Sequence, residues 1–195
     1  NNGGSQPTLS QDLPGATTSN DYAKSNTDPR YYNTSYSGLG ISPPATHTPC
    51  KDLPNVNEMT WYAASDPCWD ADELWTTMGH LYKGGMWFKK KSQISGFKAN
   101  KAYDGSDWRT ANKNKNWTPS NTLPSAADAG NYFYLPVLGI YQSGQLNFVG
   151  ALGYYWSSSA TPWDSNYACD LYFNSGNVGV TNYYRDYGYR VGTFE

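Results

Sequence analysis

The sequence predicts an α+β domain with one or two helices, short antiparallel strands and long loops. Three observations carry this. The block Asp70 to Tyr82 has helical periodicity. The last third of the chain holds several short apolar or alternating runs. Among 195 residues, 19 glycines and 12 prolines supply many turns.

Taken in chain order, residues 1–48 are rich in Asn, Ser, Thr, Gly and Pro. They read as an extended strap or linker, docked in places by Tyr31, Tyr32 and Tyr36. Residues 49–195 read as the folded domain. NEMTWYAA, Asn57 to Ala64, reads as its first strand. In DADELWTTMGHLY, Asp70 can cap a helix start and Glu73 lies three residues later, a capping-box arrangement. Leu74, Trp75, Met78, Leu81 and Tyr82 then fall on one helical face, and Lys83-Gly84-Gly85 ends the helix. Met86 to Asn121 is polar with scattered Trp and reads as long loops.

A second, short helix is expected around Ser125 to Ala129. NYFYLPVLGIY, Asn131 to Tyr141, is an apolar core strand with an irregularity at Pro136. Gln142-Ser143-Gly144-Gln145 is a turn and GYYWSSS is the next strand. ACDLYF, Ala168 to Phe173, alternates; NSGN, Asn174 to Asn177, is a hairpin turn; NVGV begins the return strand. Alternation places Leu171 and Phe173 inward and Asp170 and Tyr172 outward. The same phase turns Cys169 inward, where it is either a small core hydrophobe or is rotated out by local curvature.

The net charge is −2 and charged residues are 15% of the chain. The densest basic run is FKKK, Phe88 to Lys91, so no nucleic-acid partner is expected. No run of 18 apolar residues exists, so no membrane span is expected. Asn1 is not a start methionine, which reads as a fragment or a processed form. Cys50, Cys68 and Cys169 have no metal-site spacing. Cys50 and Cys68 are a candidate disulfide pair if the protein is exported, with Cys169 left over.

No motif names a reaction. His47 and His80 are far apart, and no nucleophile elbow, phosphate loop or His-Glu-x-x-His is present. Asp164, Asp170 and Asp186 are the one acidic grouping in which a carboxylate pair or a calcium site is conceivable, and they lack regular ligand spacing. The expectation is therefore no catalytic residue, no resident metal and no cofactor. The end of the chain is a different matter. TNYYRDYGYRVG, Thr181 to Gly192, sets four tyrosines among Asn, Asp, Arg and Gly. It is too polar for a core strand and too aromatic for an ordinary loop. Tyrosine gives large, rigid contact area at low entropic cost, so the strip reads as a contact surface.

GYYWSSS (Gly153 to Ser159), LYFNSGNV (Leu171 to Val178) and GYRVG (Gly188 to Gly192) together resemble the C-terminal part of bacterial C-type-lectin-fold domains, related in fold to the formylglycine-generating enzyme. More narrowly, with the block Trp69 to Phe97, the chain resembles the variable proteins of diversity-generating retroelements, especially those on gut-bacterial surfaces or pilus tips. The resemblance covers roughly residues 50–192. In that family a reverse transcriptase copies a template repeat and misincorporates opposite adenine. AAC codons then yield Tyr, Asp, Ser, Gly, Thr, Cys or Val, but not Trp, Lys, Glu or Gln. Between Ser165 and Tyr189 there is no Lys, Glu, Gln, Met or Trp.

The resemblance thus implies a variable region over about residues 154–192 with two ligand-contact strips. One holds Trp163, Asp164, Asn166, Tyr167, Cys169, Asp170 and Tyr172. The other holds Thr181, Asn182, Tyr183, Tyr184, Asp186, Tyr187 and Tyr189. Trp163 does not fit an AAC origin and is a fixed residue or a different codon. Arg185, Gly188 and Val191 would be framework. Tyr154, Tyr155 and Trp156 read as core and framework rather than contacts, and Tyr189 as either a contact or a core tyrosine with its hydroxyl at the rim.

The implied function is a diversified cell-surface or pilus-tip adhesin, extracellular or surface-bound, with a protein or glycan ligand and with pilus or anchoring subunits as neighbours. The calcium-lectin signatures Glu-Pro-Asn, Gln-Pro-Asp and Trp-Asn-Asp are absent, so the fold name implies neither calcium nor sugar. The formylglycine-generating enzymes use a cysteine pair near the C-terminus, where this chain has Cys169 alone. Other readings are a phage tail receptor-binding protein on the same fold, an enzyme of the formylglycine-generating or glycan-hydrolysing kind, and a structural pilus subunit.

Overall fold

The computed structural model describes residues 27, 31–32, 41–42, 44–47, 50–77, 79–142, 145–189 and 194–195. The expectations for Tyr36, Met78, Ser143, Gly144 and Arg190 to Gly192 lie outside these residues. The architecture is α+β, with one helix and mostly antiparallel strands among the described residues.

The helix, α1, spans Val56–Ala64, where the sequence reading places a strand. Its start explains the correction. Asn55 Oδ1 accepts from the N–H groups of Asn57 and Glu58, and Glu58 Oε2 accepts from the Asn55 N–H at 2.8 Å. This reciprocal box satisfies orphan donors of the first turn. Val56, Met59, Tyr62 and Ala63 then share one buried face.

The expected helix at Asp70 to Tyr82 is instead a hairpin of β1 (Cys68–Thr77) and β2 (His80–Lys89). Asp70 does cap, but it caps a bulge. Its Oδ1 accepts from the Asp72 and Glu73 N–H groups, both at 3.0 Å, and the register shifts between Asp70 and Leu74. The Trp75 ring stacks on Tyr82, its direct cross-strand partner, with centroids 5.0 Å apart. Gly84 and Gly85 are not a helix stop. A Cβ on Gly85 would collide with the Tyr134 ring and the Leu135 carbonyl, so glycine lets the next strand lie close.

Three-residue 3₁₀ turns at Lys91–Gln93 and Trp108–Thr110 and the short strand β3 (Lys115–Trp117) interrupt the long loops. The second helix expected at Ser125 to Ala129 is only a turn leading into a 3₁₀ turn at Ala129–Asn131. The apolar run 131–141 divides into β4 (Tyr132–Pro136) and β5 (Ile140–Gln142), which enter different sheets because Pro136 ends the first. β6 (Gln145–Asn147) pairs with β5. β7 (Gly153–Ala160), β8 (Tyr167–Asn174) and β9 (Asn177–Tyr184) form a meander.

The sheets are β1-β2-β4, β3-β9-β8-β7 and β5-β6. The main core fills the space between α1, the first sheet and one face of the second. It contains Met59, Tyr62, Phe88, Phe133, Tyr155, Leu171, Phe173, Val178 and Val180. Burying each such side chain stabilises by about 1.5–3 kcal/mol before entropy is counted. The Tyr155 and Phe173 rings stack 5.8 Å apart and 9° from parallel. A Cβ on Gly153 would strike Phe173, so that position must be glycine.

The opposite face of the second sheet carries a second cluster, in which Tyr32, Ala45, Cys50, Trp156, Ala168 and Tyr189 pack together. Burial on both faces is why β7 and β8 read as nearly continuous buried runs.

All three cysteines are buried and free, so the candidate Cys50–Cys68 disulfide is not formed. Cys50 lies in the second cluster, whereas Cys68 opens β1 beside Trp87 and Ser120, in a different part of the molecule. Burial pushes the Cys50 thiol up to about 12. Among the described residues no helix is long and apolar enough to cross a membrane.

Candidate ligand-contact face

The second sheet positions the tyrosine strip. In β8 and β9, directly paired residues share a face: Ala168 with Tyr183, Asp170 with Thr181, Tyr172 with Gly179. Asp170 also pairs with Trp156, and Tyr172 with Tyr154, across β7. Tyr154, Trp156, Asp170, Tyr172, Thr181 and Tyr183 therefore project to the side away from the main core. Cys169, Leu171, Phe173 and Val180 project into it. Cys169 is thus a core thiol, not a contact, and burial raises its pKa.

The run of serines after Trp156 fixes this sheet to the rest of the fold. Ser157 Oγ donates to the Cys169 carbonyl at 2.8 Å. Ser159 Oγ accepts from the Val56 N–H at 3.1 Å, anchoring the helix start. The Ala45 N–H donates to the Ser158 carbonyl and the Ser158 N–H donates to the Pro54 carbonyl. Small hydroxyls suit a register shift, which falls between Trp156 and Ala160.

After β9 the chain turns back. The Gly188 and Tyr141 backbones exchange hydrogen bonds of 2.8 and 2.9 Å, which carries Tyr189 onto Trp156. A connected ring network results. Tyr154 lies 4.9 Å from Tyr189, 6.1 Å from Tyr183 and 6.2 Å from Tyr172. Tyr187 lies 6.1 Å from Tyr183 and 5.8 Å from Tyr184, and its hydroxyl accepts from Gln142 Nε2 at 2.9 Å. Tyr184 and Tyr167 pair on the other side of the strand end, 4.5 Å apart. The Tyr167 hydroxyl is pushed up to about 12, chiefly by its hydrogen bond with Tyr184.

Tyr183 and Tyr184 are 38% and 45% exposed, the most open aromatic rings of the strip. Asn166 and Asp186 are exposed; Trp163, Asp164, Tyr167, Tyr172, Thr181, Asn182 and Tyr187 are half-buried. Tyr189 is buried and its hydroxyl has no hydrogen-bond partner among the described residues, so it sits beneath the face rather than at the rim. Strand alternation sends Asn182 and Tyr184 to the side opposite Thr181 and Tyr183, so the strip presents two groups around one edge.

Arg185 is buried. Its Nε donates to the Tyr167 carbonyl and its N–H to the Asn166 carbonyl, both at 2.9 Å, while the guanidinium lies 5.8 Å over the Tyr32 ring. It ties the ends of the two strands together.

Asp170 departs from the expectation of an exposed outward carboxylate. It does point away from the main core, but the ring network covers it completely, at 0% exposure. Neither carboxyl oxygen is hydrogen-bonded to another of the described residues. Burial raises its pKa well above the carboxylate range. Asp164 and Asp186 do not join it. Among the described residues no three His, Cys, Asp or Glu side chains come together as a metal site.

Three contributors escaped the sequence reading as parts of the face. Tyr154 was assigned to the framework, yet it is half-buried at the centre of the network. Gly179 lets the Tyr172 ring lie flat across β9, where a Cβ would collide with it. The Tyr172 hydroxyl then donates to Asn116 Oδ1 at 2.8 Å. The glycine within NVGV was the available signal, since glycine inside a strand marks a close approach.

No protein-family profile matches this chain, and neither the curated proteins nor the solved structures contain a match to it.

Proposed function

We propose that this chain is a non-enzymatic binding module that displays a diversified, tyrosine-rich contact face on a C-type-lectin-type scaffold. Its site of action would be the cell surface or a pilus tip. The observation that carries this reading is the open tyrosine cluster around Tyr183, Tyr184 and Tyr187, held by a sheet buried on both faces. A rigid frame with adaptable polar and aromatic side chains lets the contacts change while the backbone stays fixed. The exposed residues of the strip are types reachable from AAC codons, and the buried ones beneath them are packed by the framework.

The test is to read the 3′ end of the gene and the DNA beyond it. The reading requires a near-copy of the last codons carrying AAC at Tyr183, Tyr184, Asp186 and Tyr187, beside a reverse transcriptase. Complete flanking sequence without such a copy removes diversification and leaves a fixed tyrosine surface.

A further inference from the structure

A second aromatic surface lies on the α1 side of the second sheet, away from the tyrosine strip. β3 is an edge strand of that sheet, and its Lys115 and Trp117 pair with the core-facing Val180 and Val178, so both project toward α1. The Trp117 ring meets Tyr103 edge-on, with centroids 5.4 Å apart. The loop before β3 laces along the helix. The Trp61 indole N–H donates to the Lys101 carbonyl at 2.7 Å, and the Tyr103 N–H donates to Thr60 Oγ1 at 3.0 Å. Trp61, Tyr103 and Trp117 are each half-buried, so part of every ring stays open to solvent. Lysines sit among these rings. Lys115 Nζ lies 4.7 Å from the Tyr103 centroid and 5.4 Å from that of Trp117, and it donates to the Tyr103 hydroxyl. Lys98 and Lys101 are exposed on the loop beside Trp61. The carboxylates of this region are already engaged: Asp104 with Lys113 at 3.1 Å, Asp107 with Arg109 at 2.7 Å, and Glu58 with the Asn55 N–H at 2.8 Å. Among the described residues no carboxylate pairs with Lys98, Lys101 or Lys115. Three uncompensated ammonium groups thus share one surface of a chain whose net charge is −2.

We propose that this surface binds an acidic sugar polymer, one that carries carboxylate or sulfate groups. The ammonium groups pair with its acid groups, and the open parts of the rings take the apolar faces of its sugars. Lys115 is already held over two rings, so less side-chain entropy is lost when it pairs. Its ammonium has three N–H donors, and the Tyr103 hydroxyl takes one of them. Rings set beside lysines match a polymer whose repeat joins a charge to an apolar ring face. An acidic peptide supplies the charge without the ring face. A nucleic acid carries a phosphate at every nucleotide, a density that three ammonium groups do not balance and that Asp104 and Asp107 repel. The inference does not depend on the tyrosine strip, and it gives the molecule a second contact surface with a different partner.

The experiment titrates the protein at neutral pH and low salt, by calorimetry, with oligogalacturonate and with a heparin-derived oligosaccharide. Maltooligosaccharide, polyglutamate and oligodeoxythymidylate of matched length are the controls. The expected result is that at least one acidic sugar binds about tenfold more tightly than every control, and that the affinity falls as salt rises. The two acidic sugars separate carboxylate from sulfate recognition. Lys115→Ala and Lys101→Ala replace exposed side chains and should each weaken that binding several-fold, while Tyr183→Ala on the other face should leave it unchanged. No binding of either acidic sugar, or equal binding of maltooligosaccharide, overturns the proposal. Equal or tighter binding of polyglutamate or oligodeoxythymidylate also overturns it, leaving a surface that takes any polyanion or a nucleic acid. Full affinity in both lysine variants, or a loss in Tyr183→Ala matching theirs, overturns the placement of the site.

Discussion

Trp156 and Tyr189 stack with ring centroids 4.1 Å apart and planes 22° from parallel, and Tyr32 packs on Trp156 at 5.1 Å. Three distant segments thus meet in one aromatic stack behind the tyrosine face. Deleting the ring in Tyr189→Ala should cost about 3 kcal/mol or more, as for other large-to-small core changes. Tyr189→Phe removes only a hydroxyl that has no partner among the described residues and should be neutral or stabilising by up to about 1 kcal/mol. Urea unfolding of the two variants separates these outcomes; a costly Tyr189→Phe would mean that the hydroxyl has a partner.

Tyr183 and Tyr184 should behave oppositely. Each keeps a large exposed area and packs its ring on other tyrosines of the face. Tyr183→Ala and Tyr184→Ala should each change stability by less than about 1 kcal/mol while weakening ligand capture. A loss of stability comparable to that of Tyr189→Ala would make these rings part of the core.

Asp170 gives the fold a pH dependence of definite sign. Its folded pKa is raised, so above about pH 4, the usual unfolded carboxylate value, the folded state holds a proton that the unfolded state has lost. Stability therefore falls as pH rises through this window, by up to about 1.4 kcal/mol per pH unit, until the folded group also ionises. Asp107 works in the opposite sense. Its hydrogen bond from Arg109 leads the effects that hold its pKa down to about 2, so its contribution is lost on acidification. The comparison of wild type with Asp170→Asn isolates the first effect. The variant should gain relative stability as pH rises above about 4, the usual unfolded carboxylate value, in thermal melts, and parallel pH profiles would refute the assignment.

Asn55 caps the helix through two N–H groups and receives the return bond from Glu58. Asn55→Ala should cost about 1 kcal/mol. Asn55→Asp or Asn55→Ser should retain most of the stability, since a side-chain oxygen remains to accept. Chemical denaturation of the three variants tests this ordering.

The α+β class and the β7 to β9 meander were legible because alternation in ACDLYF and the NSGN turn are short-range signals. The helix and first strand were exchanged for a physical reason that Asp70 illustrates. A side chain that accepts from N–H groups two and three residues on looks the same in sequence at a helix start and at a bulge. The true start at Asn55 carried the same signature, with Glu58 three residues later, and was overlooked beside NEMTWYAA. The exposure of Tyr183 and Tyr184 could be read from their polar neighbours. The burial of Asp170 could not be, because it depends on Tyr189 and Tyr154 arriving from other segments.

The placement of α1 has a kinetic consequence. Its first N–H is held by Ser159, its Tyr62 hydroxyl by Glu195, and its apolar face by Leu171, Val178 and Val180. A nine-residue helix is marginal alone in water. On a ribosome it would have to wait, unsupported, until more than a hundred further residues emerged to pack against it. Contacts so remote in sequence are slow to close, so refolding should be slow and governed by the arrival of the last two strands.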